Sequence, residues 1–205
     1  MRLIWIRHGE TLWNSEFRLQ GTSDVALSEL GLVQSQRLAA AFRGELHKIY
    51  TSPLGRARSF AAPLAKRCKL EPIVVEELRE MSFGRWEGLR YEDMDAAMQQ
   101  AFAAWCSDPV NICPPEGESA AEMGKRVRIA VDKLTASMQG GEAVAMFTHG
   151  GVIRVAVTAL MGLPPVTAAR LRIDTGSITM MDLVGEHWHL VGLNDTSHLH
   201  VQEDC

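Results

Sequence analysis

Three segments of the chain place an arginine or a histidine directly after a short apolar run. Arg7 and His8 follow the first run, Arg56 comes soon after the second, and His149 and Gly150 follow the third. If these runs are parallel strands, their carboxyl ends lie at one edge of a sheet, where open α/β folds bind ligands. The helix N-termini that follow such turns favour anions. This pattern predicts a pocket for a phosphate group.

The elements that would position these residues follow from the hydrophobic pattern. Continuous apolar runs predict strands at residues 2–7, 48–51, 73–75 and 143–148. Because these runs do not alternate with polar residues, strands covered on both faces are expected. Other segments predict helices at 28–42, 53–67, 91–105, 119–138 and 150–161, and a terminal hairpin at 177–184 and 186–193. The alternation favours an α/β fold, a three-layer α/β/α sandwich with a mostly parallel central sheet.

Besides Ser28, which can cap the helix that reaches about residue 42, two serines are predicted to cap helices through their hydroxyl groups. Ser52 precedes Pro53, which suits the first turn of the helix predicted there. Ser119 is predicted to form a capping box with Glu122. Apolar residues then recur at spacings of three and four, so one face of this second helix is expected to be buried.

A length of 205 residues with 46% hydrophobic content is sufficient for one sizeable core. Residues 1–205 are therefore predicted to form a single domain. Residues 80–118 interrupt the alternation of strands and helices, and we interpret them as a lid-like excursion over the edge of the sheet. The net charge of -4 gives no general attraction for nucleic acid or an anionic membrane. A local cationic cluster must attract any anionic ligand.

Cysteine usage and hydropathy indicate the compartment. The cysteines lack a C-x-x-C pair, so neither a disulfide framework nor a zinc ribbon is favoured. These residues are Cys68, Cys106, Cys113 and Cys205. The apolar run at the N-terminus is too short for a signal sequence or a membrane span. A reducing, cytoplasmic setting without a membrane partner is expected.

Two further groups of residues could suggest different chemistry. Asp93 and Asp95 form the D-x-D of another phosphatase class, but no apolar strand precedes them, so we interpret them as a solvated face. Four histidines could suggest a metal site, namely His187, His189, His198 and His200. Because the two pairs lie on different segments, and the second pair lies in a polar tail, no metal site is predicted.

The segment Arg7-His8-Gly9-Glu10-Thr11 resembles the signature of the histidine phosphatase superfamily, the phosphoglycerate-mutase-like fold. The similarity continues over nearly the whole chain, in the family's order and spacing. It includes Asn14, Gln20-Gly21, Asp24, Leu27-Ser28, Gly31, Ser52-Pro53-Leu54, Arg56-Ala57, Leu78-Arg79-Glu80 and His149-Gly150. Several motifs in the family's order make this resemblance specific.

The resemblance implies catalytic roles for five residues. His8 would attack phosphorus and become phosphohistidine. Arg7, Arg56 and His149 would hold the three equatorial oxygens and neutralise their charge. Glu80 would protonate the leaving oxygen and later deprotonate water. Neighbouring guanidinium groups should keep the His8 imidazole neutral, and no metal or cofactor is required.

The resemblance also implies substrate contacts and a reaction type. The substrate contacts would come from Asn14, Gln20, Gly21 and Gly150. Mutases that resemble this fold tend to carry a longer insertion with additional basic residues, whereas residues 91–117 contain no Lys or Arg. Hydrolysis of a small anionic phosphomonoester is therefore favoured, with no nucleic-acid partner. A homodimer is left open.

Among phosphatases, the motifs around Glu80 and His149 most resemble bacterial α-ribazole-5'-phosphate phosphatases of cobalamin assembly. A lid bearing Trp86, Phe102 and Trp105 could accept an aromatic base, or these rings could simply pack the excursion. Three alternatives stay open: a phosphoglycerate-mutase-type isomerase, a phosphoserine or broad-specificity sugar-phosphate phosphatase, and a non-catalytic phospholigand-binding module. A binding module would be expected to lose a catalytic group, yet all of them are present.

Overall fold

A six-stranded sheet forms the centre of the computed structural model, which describes residues 1–200. Its strands are β1 Arg2–Arg7, β2 Lys48–Thr51, β3 Ile73–Val74, β4 Ala143–Thr148, β5 Ile178–Val184 and β6 His187–Asp195. Their order across the sheet is β3-β2-β4-β1-β5-β6. The first four strands in this order are parallel, whereas β5 pairs antiparallel with both β1 and β6. The predicted mostly parallel sheet and terminal hairpin are confirmed.

Helices cover both faces of this sheet. They are α1 Leu12–Ser15, α2 Glu29–Ala41, α3 Gly55–Cys68, α4 Ala96–Ser107, α5 Ala120–Ala136 and α6 Gly150–Leu160. In β1, Leu3 and Trp5 pack with side chains of α5 and α6, and Ile4 and Ile6 pack with those of α2 and α3. Both faces of the strand are therefore apolar, which explains its continuous hydrophobic run. The three-layer α/β/α architecture is confirmed.

Two local predictions are wrong. Ser52 does not cap α3, because the residue at the N-cap is Leu54 and the Ser52 hydroxyl contacts His149 instead. The strand predicted at 73–75 has only two residues and lies at the edge of the sheet, with Ile73 and Val74 about half exposed rather than covered on both faces. The capping box of Ser119 at the start of α5 is confirmed.

The excursion at residues 80–118 consists of two short 3-10 turns, at Gly84–Trp86 and Tyr91–Asp93, and the helix α4. Its aromatic rings pack edge to face on one another, and Trp86 is 1% exposed within this group. The chain returns beside its own start, where the Glu118 amide donates to the Ser82 carbonyl at 2.9 Å. The aromatic residues therefore pack the excursion. Movement of this segment as a lid stays a prediction.

The alternative sites of the sequence analysis lie away from the carboxyl edge of the sheet. Asp93 and Asp95 are exposed, and Asp95 caps α4, which begins later than the predicted residue 91. His187 and His189 lie on the edge strand β6. Across residues 1–200, no three His, Cys, Asp or Glu side chains are grouped closely enough to hold a metal ion.

Three cysteines in the described part of the chain, Cys68, Cys106 and Cys113, are free thiols, and Cys205 lies outside it. None of the helices within residues 1–200 has both the length and the apolar character needed to cross a bilayer.

Candidate active site

Two adjacent parallel strands bring the histidines of the site together. Arg7 ends β1 and pairs in register with Thr148, which ends β4. The amide of His8 donates to the Thr148 carbonyl at 3.0 Å, so the ladder extends one residue past the strand. The rings of His8 and His149 then meet edge to face with centroids 5.1 Å apart. Main-chain pairing alone therefore places both imidazoles at the carboxyl edge of the sheet.

His8 is 3% exposed, and its hydrogen bonds define its tautomer. Nδ1 lies 2.7 Å from the carbonyl oxygen of Gly9, which can only accept, so Nδ1 carries the proton. Nε2 accepts a hydrogen bond of 3.3 Å from Nε of Arg56. Burial lowers the pKa of His8 well below its usual value, and Arg56 and Arg7 lower it further. The neutral ring expected from the sequence is therefore supported, with burial as the larger cause.

Arg56, in the first turn of α3, is 1% exposed and is anchored by a loop on the other side of the site. Its Nη1 donates to the carbonyl of Ser23 at 2.7 Å, and its Nη2 donates to that of Gly21 at 2.6 Å. Burial lowers the pKa of Arg56 to about 10, although Glu80 and Asp24 oppose this effect. The side chain therefore remains cationic at neutral pH.

Arg7 presents a second guanidinium group, partly buried, to the site. Its Nη1 donates to the carbonyl of Ile173 at 2.7 Å, and its Nε has no hydrogen-bond partner among residues 1–200. Burial lowers the pKa of Arg7, while the nearby carboxylates of Glu80 and Asp174 raise it. Gly150 lies beside this guanidinium, since a β-carbon added there would be 3.5 Å from Arg7 Nε. The Nε–H group of Arg7 is therefore available to donate a hydrogen bond at the base of the site.

His149 is fully buried, and its Nε2 lies 2.7 Å from the Ser52 hydroxyl oxygen. Its Nδ1 has no partner within the described chain. Burial lowers the pKa of His149 well below its usual value, with further lowering by Arg56 and His8. If Ser52 donates to Nε2, the neutral ring carries its proton on Nδ1 and can donate to a phosphoryl oxygen. The sequence analysis had taken Ser52 for a helix cap.

Glu80 lies on the loop after a 3-10 turn at Glu76–Leu78, opposite the N-terminus of α6. Its Oε2 accepts from the Gly151 amide at 3.1 Å, and its Oε1 accepts from the Met81 amide at 3.0 Å. A β-carbon at Gly151 would collide with this carboxylate, so glycine permits the close approach. Glu77 of the same acidic run pairs with Lys133 away from the site. The structure thus separates Glu80 from its acidic neighbours.

The residues predicted to contact substrate lie around Thr11. Oδ1 of Asn14 accepts from the Thr11 amide at 3.2 Å and completes the capping box of α1, whose N-cap is Thr11. Oε1 of Gln20 accepts from the Thr11 hydroxyl at 3.1 Å, while its Nε2 is buried without a partner among residues 1–200. Gly21 directs its carbonyl to Arg56. The predicted contacts of Asn14, Gln20 and Gly21 with substrate stay predictions, and Gly21 has an additional role in holding Arg56.

Glu87 is a positioning residue that the sequence analysis did not identify. Its carboxylate accepts from the amides of Thr22, Ser23 and Phe83 at 2.8–3.0 Å. It therefore holds the loop whose carbonyls anchor Arg56. The side-chain hydrogen bond of Ser23 and these amides lower the pKa of Glu87, although burial opposes them. No signal of periodicity or spacing distinguishes this glutamate in the sequence.

Arg126 is a second residue that was missed. It lies in α5 between Met123 and Val127 and is 8% exposed, so a cation occupies the apolar face of this helix. Its guanidinium contacts the main chain at Glu80. A sequence signal existed here, because a charged residue at a core-facing helix position requires a buried partner.

A neutral imidazole flanked by two guanidinium groups, at the carboxyl edge of an α/β sheet, defines a phosphoryl-transfer site of the histidine type. The chain belongs to the histidine phosphatase superfamily (branch 1), whose family model matches residues 3–196. This result confirms the resemblance stated from the motifs and identifies the chain as an enzyme of the phosphatase and mutase class.

Individual relatives carry different activities in their names. A protein of Yersinia enterocolitica named "Probable phosphoglycerate mutase GpmB" is 31% identical over 209 residues, covering 97% of this chain and 95% of that protein. A mycobacterial glucosyl-3-phosphoglycerate phosphatase is 33% identical, with a TM-score of 0.88 over 95% of this chain and 99% of its own. The α-ribazole phosphatase of Shigella flexneri is 28% identical, with a TM-score of 0.87 over 95% and 96%.

Proposed function

We propose that this enzyme hydrolyses a small phosphomonoester, without a metal, through a phosphohistidine formed at Nε2 of His8. The observation that carries the proposal is the state of that nitrogen. It is unprotonated, because Nδ1 donates to Gly9, and it faces the guanidinium of Arg56 at 3.3 Å. A neutral nucleophile beside fixed cations suits attack on a phosphate dianion.

In the first step, the Nε2 lone pair forms a bond to phosphorus as the bond between phosphorus and the ester oxygen breaks. The electron pair of that bond remains on the leaving oxygen, which takes a proton from the Glu80 carboxyl group. Arg7, Arg56 and the Nδ1 proton of His149 would hold the equatorial oxygens. The buried guanidinium groups can neutralise the charge of the transferring group because they are already positioned.

In the second step, a water oxygen attacks phosphorus and the Glu80 carboxylate takes the water proton. The bond between Nε2 and phosphorus breaks, and its electron pair returns to the imidazole. Inorganic phosphate is released and the carboxyl group is protonated again, ready for the next cycle. The support for this double role is the position of Glu80 opposite the N-terminus of α6, the helix that follows His149.

The substrate is proposed to be an ester whose remainder is not strongly anionic. The support is the absence of Lys and Arg from residues 91–117, which form much of the excursion. α-Ribazole 5'-phosphate of cobalamin biosynthesis is the first compound to test, given the similarity to the Shigella flexneri enzyme. Recognition of its base would not use Trp86, which is buried against Phe102 and Trp105. Phosphoserine and sugar phosphates complete the panel.

A mutase is the second candidate, and the 31% identity to the Yersinia enterocolitica protein favours it. In that reaction, a second acceptor instead of water takes the phosphoryl group from His8. Phosphoglycerate isomers, incubated with and without bisphosphoglycerate, distinguish the two reactions. Interconversion of the isomers without release of inorganic phosphate would mean that the enzyme acts as a mutase and not as a phosphatase.

The phosphoenzyme itself provides the direct test. Enzyme incubated with substrate, quenched by denaturation at alkaline pH because the N–P bond of phosphohistidine is labile in acid, and analysed by peptide mass spectrometry should carry one phosphoryl group on the peptide containing His8. His8→Asn should abolish both this label and turnover. His187→Asn, at an exposed position on β6, is the matched control and should retain both. Normal turnover by His8→Asn would overturn the proposal, and retained ligand binding without turnover in the unaltered chain would favour a binding module.

The cellular setting and assembly remain proposals as well. A cytoplasmic location is proposed from the unpaired cysteines of the sequence, and a homodimer is left open. Light scattering of the purified chain decides the assembly.

A further inference from the structure

Arg126 lies beneath the loop that carries Glu80, on the buried face of α5. All five of its N–H donors have partners. Nε and Nη2 bind the two carboxylate oxygens of Glu118 at 2.6 and 2.7 Å. Nη1 donates to the carbonyls of Glu77 and Arg79 at 2.6 and 2.7 Å, and Nη2 also donates to that of Glu80 at 3.1 Å. One side chain therefore holds three carbonyls within four consecutive residues.

The ion pair between Arg126 and Glu118 is shielded from solvent. The two side chains are 10% and 12% exposed. Such a pair gains little stability by itself, because the desolvation of both charges offsets their attraction. The planar guanidinium group instead provides geometric restraint, since its donors form a rigid fork that a lysine cannot reproduce.

Glu80 depends on this restraint more than the other residues of the site do. His8 and His149 follow paired strands, whereas Glu80 lies on an irregular loop. Within residues 1–200, its carboxylate accepts hydrogen bonds only from the amides of Met81 and Gly151. Without Arg126, the carbonyl groups of Glu77 and Arg79 would have no hydrogen-bond donor from α5. The Thr148 hydroxyl ties this loop to the end of β4, since it donates to the Leu78 carbonyl at 2.7 Å, and Arg126 fixes the carbonyls on either side of Leu78.

We propose that Arg126, with its partner Glu118, is the positioning residue for the general acid Glu80. This inference rests on the proposed function, in which Glu80 protonates the leaving oxygen. Because Glu118 belongs to the returning end of the excursion, the same contact couples the excursion to the acid. A general acid must lie within hydrogen-bond reach of its target oxygen, so a small displacement of its loop reduces proton transfer.

Leaving-group dependence tests this role. p-Nitrophenyl phosphate needs little help from an acid, whereas glycerol phosphate needs a proton on its alkoxide oxygen. Arg126→Met should lower kcat/KM for glycerol phosphate about tenfold more than for p-nitrophenyl phosphate, and this difference is the split. The reason is that kcat/KM reports formation of the phosphoenzyme, and a misplaced acid slows that step only for glycerol phosphate. Arg126→Lys should retain the charge but not the fork, and should show the same split. Arg128→Met is the matched control, because Arg128 lies exposed on α5 and pairs with Asp132.

A purely structural role of Arg126 would lower kcat/KM for both esters equally. If Arg126→Met is too unstable to purify, Glu118→Gln removes the charge of the partner while retaining its shape, and the same split is expected. If Arg126→Lys and Glu118→Gln each lower kcat/KM equally for both esters, the inference is overturned.

Glu80→Gln separates this inference from the proposed function. Glu80→Gln should lower kcat/KM for glycerol phosphate more than for p-nitrophenyl phosphate. Adding Arg126→Lys to Glu80→Gln should then change the ratio of the two kcat/KM values by less than about twofold, because the acid is already absent. If Glu80→Gln shows the split but the Arg126 variants do not, only the positioning role is wrong. If Glu80→Gln lowers kcat/KM of both esters equally, the acid role of Glu80 is wrong and the inference falls with it.

Discussion

The site has two halves that are positioned by different kinds of contact. In the strand-end half, Arg7 ends β1, His8 follows it and His149 follows β4, and main-chain pairing places all three. In the loop half, Glu80 and residues 20–24 lie on irregular segments. Glu87 holds one of these segments and Arg126 holds the other.

This difference shows which substitutions the two halves tolerate. A strand end is placed by hydrogen bonds that every residue type can make, so a substitution there removes chemistry and leaves the backbone in place. A loop end is placed by buried charged side chains, and the loss of one leaves several amides or carbonyls without partners. A substitution in the loop half should therefore lower both the stability of the fold and the catalytic activity.

The largest effect is expected from a strand-end substitution. His149→Gln should lower kcat by about 10²–10³, because one fixed donor to the phosphoryl group is lost. Its unfolding midpoint in urea should change little, since the Thr148–His149 backbone remains paired. Steady-state kinetics and urea titration measure the two quantities, with His189→Gln on β6 as the control. A decrease in kcat of less than tenfold would show that His149 takes no part in the reaction and would contradict this comparison of the two halves.

The loop half is tested at Gly21, which has φ 54° and faces Glu87. A β-carbon there would collide with the Glu87 carboxylate and displace it from its amides. Gly185 has φ 61° but open space around it, so Gly185→Ala carries the backbone strain without the collision. Gly21→Ala should be less stable than Gly185→Ala by about 1–3 kcal/mol.

Turnover should follow the same order in this pair. Gly21→Ala should slow hydrolysis because residues 21 and 23 anchor Arg56, whereas Gly185→Ala should not. Chemical denaturation and kinetics of both variants provide the measurements. Equal stability and activity of the two variants would mean that Glu87 does not control this loop.

The smallest effect is a difference in acid sensitivity between the halves. The pKa values of His8 and His149 are lowered in the folded chain, so the unfolded chain binds protons first as the pH falls through about 6.5. Stability is therefore lost below that pH, by about 1 kcal/mol per histidine between pH 7.5 and 5.5. The lowered pKa of Glu87 acts in a different window, because its contribution is lost only below about pH 4.5.

Urea unfolding at pH 7.5 and 5.5 measures this difference. His149→Gln should reduce the loss of stability between the two pH values by about 1 kcal/mol. Glu87→Gln should leave that loss unchanged, although the variant is less stable at both pH values. An unchanged loss in His149→Gln would show that this imidazole is not kept neutral by the fold.

The strand-end residues could be predicted because periodicity and topology suffice to locate them. An apolar run followed by Arg7 and His8 indicates a strand and its end, and parallel strands share one edge. The family-like motifs also indicated Glu80. The role of Ser52 was missed because its hydroxyl meets His149 across β2 and β4, a contact between residues far apart in the chain. The hydrophobic pattern likewise gave no sign that β3 lies at an exposed edge.

By itself, the amino-acid sequence determined the alternation of strands and helices, the capping box of Ser119, and the residue types delivered to one sheet edge. Local propensities and hydrophobic periods suffice for these features. Only the tertiary structure decided that Arg126 lies under Glu80 and that Glu87 holds the loop opposite Arg56. These contacts depend on burial and on distances between segments that the chain brings together only when it folds, so no local pattern encodes them.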